Sequence, residues 1–293
     1  MNSLPQGADA DVTWDTARAT NLANWNDRVP IHAVEYGTEA FDKDPERLTQ
    51  VIKTDLRALE RHLPHGVQGL EVCHLQCHIG TDTVSLARAG ARVTGVDFSA
   101  PALKEAAALA QRLGIDATWI ESDVLDARAA VDRAVGPDAA FDLVYTSIGT
   151  IGWLADLHQW ARQINALLRP GGLFYIRDGH PAMLALYEEA EGLVTAYRYF
   201  ADGRALTWDF DTSYVGDAKL ANTVTYEYPH PISEVLTALL DAGLVIRAFD
   251  EGDTLPWKFK PDMVELPDTD FALPDAQRAL MPLTFTVVAT RPL

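Results

Sequence analysis

The chain has 293 residues, 48% of them hydrophobic and 23% charged, an ordinary balance for a globular protein of this length. Its formal net charge of −18 argues against the basic surface with which proteins bind nucleic acids and anionic membranes, so neither partner is expected. No apolar run reaches the roughly 18 residues of a membrane span, and the first residues lack the basic and apolar regions of a secretory signal, so we expect a cytoplasmic protein.

Two helices are predicted in the first 65 residues. The first covers residues 14–25 and is expected to end before Pro30, because proline lacks the backbone N–H that a helix interior requires. The second covers residues 46–62 and ends at the proline- and glycine-containing stretch 62–66. Residues 1–65 therefore form a predicted N-terminal helical segment.

Strand and helix patterns then alternate over residues 66–180, the predicted core. Short apolar strands are predicted at residues 70–75, 91–96, 117–120, 141–146 and 172–177. Helices are predicted at residues 80–89, 101–113 and 157–168. Strands that alternate with helices of about 10 to 15 residues indicate βαβ units and a parallel sheet.

The pattern changes after the fifth strand. Three aromatic-rich runs within residues 193–228 are separated by glycine-containing turns, which predicts a small antiparallel insert over residues 181–230. Residues 231–293 contain a helix at 233–242 and two strands at 244–249 and 283–290, which complete the core sheet. The sequence therefore predicts an α/β, Rossmann-like fold: a seven-stranded, mostly parallel sheet with helices on both faces.

Polar residues follow the strands of the predicted core. The loop from Gln76 to Gly80 opens a helix after the first strand. Asp97 ends the second strand 17 residues after Gly80, close to the spacing of about 20 expected for a carboxylate that binds ribose hydroxyls. The alternative for Asp97 is a helix N-cap. In open α/β sheets such strand ends share one ligand crevice.

The third and fourth strands end on the same edge. After the third, Asp123 could accept a hydrogen bond from an adenine amine, and Val124 could offer a backbone donor to the ring. The fourth strand delivers Thr146, Ser147 and Ile148. Four strand ends in this order predict a single adenosine-binding crevice.

These residues carry a resemblance to a known family. Residues 70–178 resemble the core of class I S-adenosylmethionine-dependent methyltransferases, and 168–176 resemble that family's hairpin into the fifth strand. The family's first motif is an acid, a hydrophobe and a Gly-x-Gly-x-Gly loop. Here His74 stands at the acid position and only Gly80 remains of the glycines, in a Leu-Gln-Cys-His-x-Gly form similar to a bacterial subgroup. The resemblance implies S-adenosylmethionine as cofactor and S-adenosylhomocysteine as product.

The altered loop bears on rival ligands. Gln76 and His78 place Cβ atoms where glycine allows close approach, and one glycine is too few for a dinucleotide pyrophosphate. The adenosyl ligand carries no phosphate. The run from Cys73 to His78 is not expected to bind metal, because no second Cys/His cluster completes four ligands.

The resemblance assigns site residues. The N-terminal segment resembles the lid of small-molecule members. In it, Arg28 of this chain could pair with the ligand's α-carboxylate, and the alternative is an ordinary surface arginine. The expected cofactor-binding residues are Trp25, Arg28, Leu75, Gln76, Cys77, His78, Gly80, Asp97, Phe98, Ser122, Asp123, Val124, Thr146, Ser147, Ile148 and Trp153. The expected substrate-binding residues are His32, Tyr36, Trp153, His180 and Tyr214.

Few residues are candidates for acid–base chemistry. His180 follows the fifth strand and is the first candidate for a base, with capping of the next helix as the alternative. His230, at the exit of the insert, is the second candidate, and Glu227 and Asp209 follow. Methyl transfer itself depends mainly on positioning, so the absence of a catalytic triad does not exclude an enzyme.

The predicted function is methyl transfer to a small metabolite through an oxygen or nitrogen acceptor. The fourth strand ends in Thr146-Ser147-Ile148 and not in the Asn/Asp-Pro-Pro-Tyr of nucleic-acid amino methyltransferases. The alternatives are a non-catalytic binder of S-adenosylmethionine and, further off, a nicotinamide oxidoreductase. Whether the protein is a monomer or a homo-oligomer stays open.

Overall fold

A computed structural model of the chain describes residues 6–267 and 270–293. The helices are α1 (Trp14–Glu35), α2 (Ala40–Lys43), α3 (Gln50–Leu59), α4 (Thr81–Arg88), α5 (Ala100–Arg112), α6 (Ala127–Ala134), α7 (Leu157–Leu167), α8 (Pro181–Leu184), α9 (Ile232–Asp241) and α10 (Asp275–Arg278). The strands are β1 (Ala8–Ala10), β2 (Glu71–Leu75), β3 (Arg92–Asp97), β4 (Ala117–Glu121), β5 (Phe141–Thr146), β6 (Leu168–Gly179), β7 (Ala205–Asp209), β8 (Val224–Glu227), β9 (Val245–Gly252), β10 (Thr254–Leu255), β11 (Val264–Glu265), β12 (Phe271–Ala272) and β13 (Thr284–Thr290).

Seven strands form the central sheet in the order β4-β3-β2-β5-β6-β13-β9. Strands β2 to β6 pair in parallel, whereas β13 is antiparallel to both β6 and β9. The predicted α/β fold with a seven-stranded, mostly parallel sheet is therefore confirmed. The order changes direction between β2 and β5, and their carboxyl ends are where open α/β sheets bind ligands.

The inner strands β2, β3 and β5 of this sheet are buried on both faces, as parallel strands covered by helices must be. Along β5, Val144 packs into one hydrophobic cluster, which includes α6, α7 and α9. Its neighbours Leu143 and Tyr145 point to the opposite face and pack into a second cluster, which includes α3 and α4. Successive side chains along each strand thus pack alternately into the two hydrophobic clusters, one on each face of the sheet.

The first helix continues beyond the predicted stop. Helix α1 runs to Glu35 with Pro30 inside it, so the predicted end before Pro30 is wrong. Pro30 is exposed, while Val29 and His32 on either side are buried. Tertiary contacts of these buried neighbours therefore keep the helix intact, although Pro30 removes one of its backbone hydrogen bonds. The second helix is shorter than predicted and begins at Gln50, after the Thr49 side chain caps it.

The insert also differs from its prediction. Residues 193–228 supply two paired strands, β7 and β8, and the third strand of this ribbon is β1 from the N-terminus. The expected third run does not pair along the ribbon. Instead Tyr197 packs its ring against Trp208 of β7, with centroids 4.8 Å apart. Among the described residues, no helix has the length and apolar character of a membrane span.

Candidate functional site

A cavity of about 840 Å³ opens at the carboxyl ends of β2 to β6. The cavity has two opposite sides. One side, which we call the sheet wall, is formed by the residues that end or follow these strands. The opposite side is the helix–ribbon wall, formed by α1, the ribbon strands β7 and β8, and residues 212–215. The sheet wall is lined by Gln76, Cys77, His78, Asp97, Phe98, Ser122, Asp123, Val124, Ser147, Ile148, Trp153 and Asp178. The helix–ribbon wall is lined by Arg18, Asn21, Trp25, Arg28, Tyr36, Leu206, Trp208, Tyr214, Thr225 and Glu227.

The loop after β2 has the backbone of a glycine loop without the glycines. Gln76 and His78 adopt left-handed φ values of 56° and 48°, and Gly80 has φ 75°. Non-glycine residues rarely occupy this region, which costs about 1–2 kcal/mol each. The backbone therefore bends at the three positions where the family motif has glycine.

Gly80 has a structural reason to remain glycine. A Cβ on Gly80 would lie 2.6 Å from the Trp119 ring and 2.7 Å from Cβ of Ala106, so only glycine fits. Gly80 and Leu75 were expected to contact the cofactor, but neither lines the cavity. Gly80 acts through the close packing of α4 against α5 and β4.

Asp97 connects two of the strand ends. Its Oδ2 accepts a hydrogen bond from the backbone N–H of His78 at 2.8 Å, and its Oδ1 accepts from that of Ser99 at 2.9 Å. Burial raises the pKa of Asp97 to about 6, against the lowering effect of these donors. The N-cap of α5 is the Ser99 hydroxyl, which accepts from Ala102, so capping does not explain Asp97. Each carboxylate oxygen keeps a second lone pair for a ligand.

Asp123 already has partners on both oxygens. Its Oδ1 accepts from the backbone N–H of Leu125 at 2.9 Å and caps the short turn Val124–Asp126. Its Oδ2 pairs with Arg18 of α1. The side chain therefore links the sheet wall to α1 at the position predicted for the adenine amine.

The loop after β5 is held by an acid that the sequence analysis did not assign to the site. The buried carboxylate of Asp178, at the end of β6, accepts hydrogen bonds from the backbone N–H groups of Gly149, Thr150, Ile151 and Gly179, at 2.6–3.1 Å. Burial raises the pKa of Asp178. A signal was present in the sequence, since an acid ends a strand that neighbours β5 in the sheet.

His74 takes a structural role at the position of the family's acid. Its Nδ1 lies 2.8 Å from Oγ1 of Thr83, and its Nε2 lies 3.2 Å from Oγ of Ser147. Burial lowers the pKa of His74 to about 3, so the ring is neutral. His74 thus orients the hydroxyl of Ser147, which lines the cavity. Thr146 is fully buried and does not line it.

Long-range hydrogen bonds fix α1 against the ribbon. The Asn21 amide donates to the carbonyl of Tyr226 at 2.8 Å and accepts from the N–H of the same residue at 2.9 Å. It occupies the edge of β8 as a neighbouring strand would. One turn later, Asn24 donates to the carbonyl of Asn222 at 2.6 Å.

His32 joins three parts of the molecule. Its Nδ1 lies 2.8 Å from Nε2 of His78 in the β2 loop, and its Nε2 lies 2.8 Å from Oγ of Ser213. Burial lowers the pKa of His32 to about 3 and that of His78 well below its ordinary value. Its ring stacks on that of Tyr36 at 4.8 Å, and His32 does not itself line the cavity. It therefore orients residues that do.

Arg28 is buried and not a surface arginine. Its side chain is 8% exposed, and Nε donates to Oδ1 of Asn24 at 2.6 Å. The guanidinium lies over the rings of Trp25 and Tyr214, at 5.1 and 5.8 Å from their centroids. Trp25 also packs against Trp153 across the cavity, with centroids 5.3 Å apart. The two walls meet at these rings.

The two histidines predicted as bases have other partners. Nδ1 of His180 accepts from the N–H of Ala182, which makes His180 the N-cap of α8, and its Nε2 lies 3.2 Å from Glu251. His180 does not line the cavity. His230 does, but its ring nitrogens lie 2.7 Å from the carbonyl oxygen of Leu154 and 3.1 Å from Glu234. Neither ring has a free nitrogen for a substrate proton, because polar neighbours occupy both.

Comparison with known proteins shows similarity to methyltransferases over part of the chain. Residues 73–174 match a family described as a methyltransferase domain. The chain is 32% identical over 177 residues to a ubiquinone biosynthesis O-methyltransferase of Methylobacterium sp. (strain 4-46), which is 59% of this chain and 65% of that relative. The alignment therefore spans just under two thirds of the relative's length.

Solved structures share the fold. A putative S-adenosylmethionine-dependent methyltransferase from Listeria monocytogenes superposes with a TM-score of 0.54 at 18% identity, covering 83% of this chain and 98% of that one. An S-adenosylmethionine-dependent methyltransferase from Clostridium acetobutylicum gives 0.56 at 12% identity, covering 87% and 97%. The chain therefore has the fold of these S-adenosylmethionine-dependent methyltransferases, and its residues 73–174 are similar to a methyltransferase domain.

Proposed function

We propose that this protein transfers a methyl group from S-adenosylmethionine to a small-molecule acceptor. The observation that carries the proposal is the arrangement of Gln76–His78, Asp97 and Asp123 on one wall of a single cavity. A volume of about 840 Å³ lies near the upper end of the roughly 300–1,000 Å³ typical of small-molecule sites. Such a volume has room for an acceptor beside the adenosyl ligand.

The lining residues fit the adenosyl ligand. The free lone pairs of Asp97 suit two ribose hydroxyls, and the residues at 122–124 suit the adenine ring. Oε1 of Gln76 is buried without a hydrogen-bond partner among the described residues, and the ligand's ammonium group would satisfy it. The free guanidinium nitrogens of Arg28 suit the α-carboxylate.

The residues of the chain supply position and desolvation. When bound, S-adenosylmethionine supplies an activated methyl group. Trp25, Trp153 and Tyr36 surround the region between the two walls and exclude water from it. Holding an acceptor in line with a reactive group is worth several kcal/mol of the barrier without any acid or base. A base is needed only where the acceptor keeps its proton.

Calorimetry and a transfer assay test the proposal in sequence. The protein is titrated with S-adenosylhomocysteine and, separately, with NADH. We expect S-adenosylhomocysteine to bind and NADH not to bind, and the reverse result would point to an oxidoreductase. The protein is then incubated with methyl-labelled S-adenosylmethionine and a small-metabolite extract. Transfer of label is expected, whereas binding without any transfer would indicate a non-catalytic binder.

A further inference from the structure

We propose that the ribbon side of the cavity binds the methyl acceptor as an amine, with the Glu227 carboxylate receiving its ammonium group. This inference rests on the proposed function and names its substrate class. It makes Glu227 a catalytic residue, because the carboxylate would contact the acceptor directly.

The pairing of the ribbon directs Glu227 into the cavity. Leu206 pairs with Glu227, and Trp208 pairs with Thr225, so the four side chains share one face. All four line the cavity. Asp209, which follows Trp208 and pairs with Val224, belongs to the opposite face and does not line the cavity. Strand alternation therefore gives this wall a carboxylate framed by apolar and aromatic side chains.

The charge around Glu227 favours a cation. Burial is the main cause that raises the pKa of Glu227. Among its neighbours, Arg28 of α1 lowers this pKa, Glu188 from the segment after α8 raises it, a hydrogen bond with Trp208 lowers it, and Asp178 at the end of β6 raises it. The Asp178 carboxylate already accepts hydrogen bonds from backbone N–H groups of the loop after β5. Arg28 is the cation that acts on the carboxylate, and its Nε is bound to Asn24. Glu188 and Glu227 both line the cavity.

Aromatic rings complete the environment of an amine. Tyr197 and Trp208 lie edge to face at 4.8 Å, and Phe210 stacks on Trp208 at 5.9 Å. All three rings line the cavity. Ring faces attract ammonium groups, with a larger effect where water is excluded. A carboxylate acceptor would be repelled by two acids here, and a neutral hydroxyl would gain a hydrogen bond but no attraction between opposite charges.

Glu227 can also carry the proton that N-methylation releases. Burial raises its pKa to about 7, so the carboxylate can take a proton from the bound ammonium group near neutral pH. The nitrogen lone pair then forms the new N–C bond to the methyl carbon. The C–S bond breaks with its electron pair left on sulfur, so the sulfonium becomes a neutral thioether and the product amine carries the charge.

A set of three matched probes tests the substrate class. The protein saturated with S-adenosylhomocysteine is titrated at pH 7.5 with 2-phenylethylamine, 2-phenylethanol and 3-phenylpropionate, which share one body and differ in the polar group. We expect the amine to bind at least tenfold more tightly than either other probe. Equal affinities, preference for the alcohol or the carboxylate, or no binding of the amine would overturn the proposal.

Two variants assign the preference to its residue. Glu227→Gln is expected to weaken amine binding at least tenfold and to leave S-adenosylhomocysteine binding unchanged, which also shows that the variant folds. Asp209→Asn, on the opposite face of the same ribbon, is the matched control and should leave both affinities unchanged. Unaltered amine binding by Glu227→Gln would refute the role of Glu227. Failure of S-adenosylhomocysteine to bind the unmodified protein would instead refute the proposed function.

Discussion

The two walls of the cavity differ in how far apart in sequence their hydrogen-bonded residues lie. In the sheet wall, Asp97 binds backbone groups only 19 and 2 residues away, at His78 and Ser99. In the helix–ribbon wall, Asn21 binds Tyr226 across 205 residues, and His32 reaches Ser213 across 181. The first wall combines such short-range bonds with bonds between neighbouring strands of the sheet, such as that of Gln76 with Thr150 across 74 residues. The second exists only when distant segments have folded together.

The largest loss of stability is expected for the buried Asp55 cluster, which lies between α3 and the sheet. Asp55 of α3 accepts from Arg177 at 2.5 Å and from the hydroxyls of Tyr145 and Tyr175, and all four are buried. Asp55→Ala leaves a buried guanidinium without its counter-ion, so we expect the free energy of unfolding in urea to fall by about 3–5 kcal/mol.

An exposed ion pair provides the control for this loss. Asp250→Ala breaks the pair with Arg61, whose side chains are 46% and 63% exposed, and should cost less than about 1 kcal/mol. Equal losses for the two variants would show that the Asp55 cluster does not anchor α3 to the sheet.

A smaller loss is expected where α1 joins the ribbon. Asn21→Ala removes the partner of both backbone groups of Tyr226, and we expect a loss of about 2 kcal/mol in urea unfolding. Because the sheet wall stays intact, S-adenosylhomocysteine should still bind with less than a tenfold change. Asn165→Ala on α7 is the matched control. The Asn165 side-chain oxygen has no hydrogen-bond partner among the described residues, so its removal should not lower stability. An unchanged unfolding midpoint for Asn21→Ala would mean that the amide does not hold the two elements together.

Ligand binding should depend first on the sheet wall. Asp97→Ala removes the proposed acceptor of the ribose hydroxyls, and we expect the Kd for S-adenosylhomocysteine to rise at least tenfold, about 1.4 kcal/mol. Calorimetry measures the change, with the exposed Asp116→Ala as control. An unchanged Kd would remove the ribose assignment.

The same carboxylate predicts a dependence on pH. Its pKa of about 6 in the free protein means that protonation below pH 6 removes its negative charge and one acceptor site. Affinity for S-adenosylhomocysteine should therefore decrease as the pH falls, by about tenfold at pH 5 relative to pH 7.5. Asp97→Asn should bind weakly at both values and with little change between them. A pH dependence that persists in this variant would assign the titration to another acid, such as Asp82, whose pKa burial raises to about 6.

The smallest effect concerns backbone strain in the β2 loop. Glycine usually lowers stability relative to alanine, because the unfolded chain then has more conformations to lose. At a left-handed position, however, glycine is favoured because it has no Cβ to strain the backbone. We therefore expect Gln76→Gly to be about 1 kcal/mol more stable than Gln76→Ala in urea unfolding, since both lose the same hydrogen bond to Thr150. A more stable alanine variant would mean that the loop does not keep its left-handed course.

Much of the sheet wall could be predicted from the sequence. The order of strands and helices, and the acids at the ends of β3 and β4, follow from periodicity and spacing that act over short segments. The left-handed course of Gln76 and His78 could not be predicted from residue type. It follows from the bonds that Gln76 and Asp97 make, which the neighbouring strands bring into reach.

The role of each polar side chain was harder to predict than its position. His180 stands after β6, as expected, but its neighbours Ala182 and Glu251 occupy both nitrogens. Glu227 is an ordinary acid in the sequence. Only the pairing of β7 with β8 directs it into the cavity and separates it from Asp209.

Hydrophobic period and strand-end spacing are local properties, so the α/β core, the resemblance to methyltransferases and the sheet edge proposed for the ligand could all be read from the sequence. The tertiary structure alone decided that α1 continues past Pro30, that β1 joins the ribbon, and that the cavity's second wall carries Glu227. These features depend on contacts between residues as much as 205 positions apart, whose free energy exceeds local preference and leaves no periodic trace in the chain.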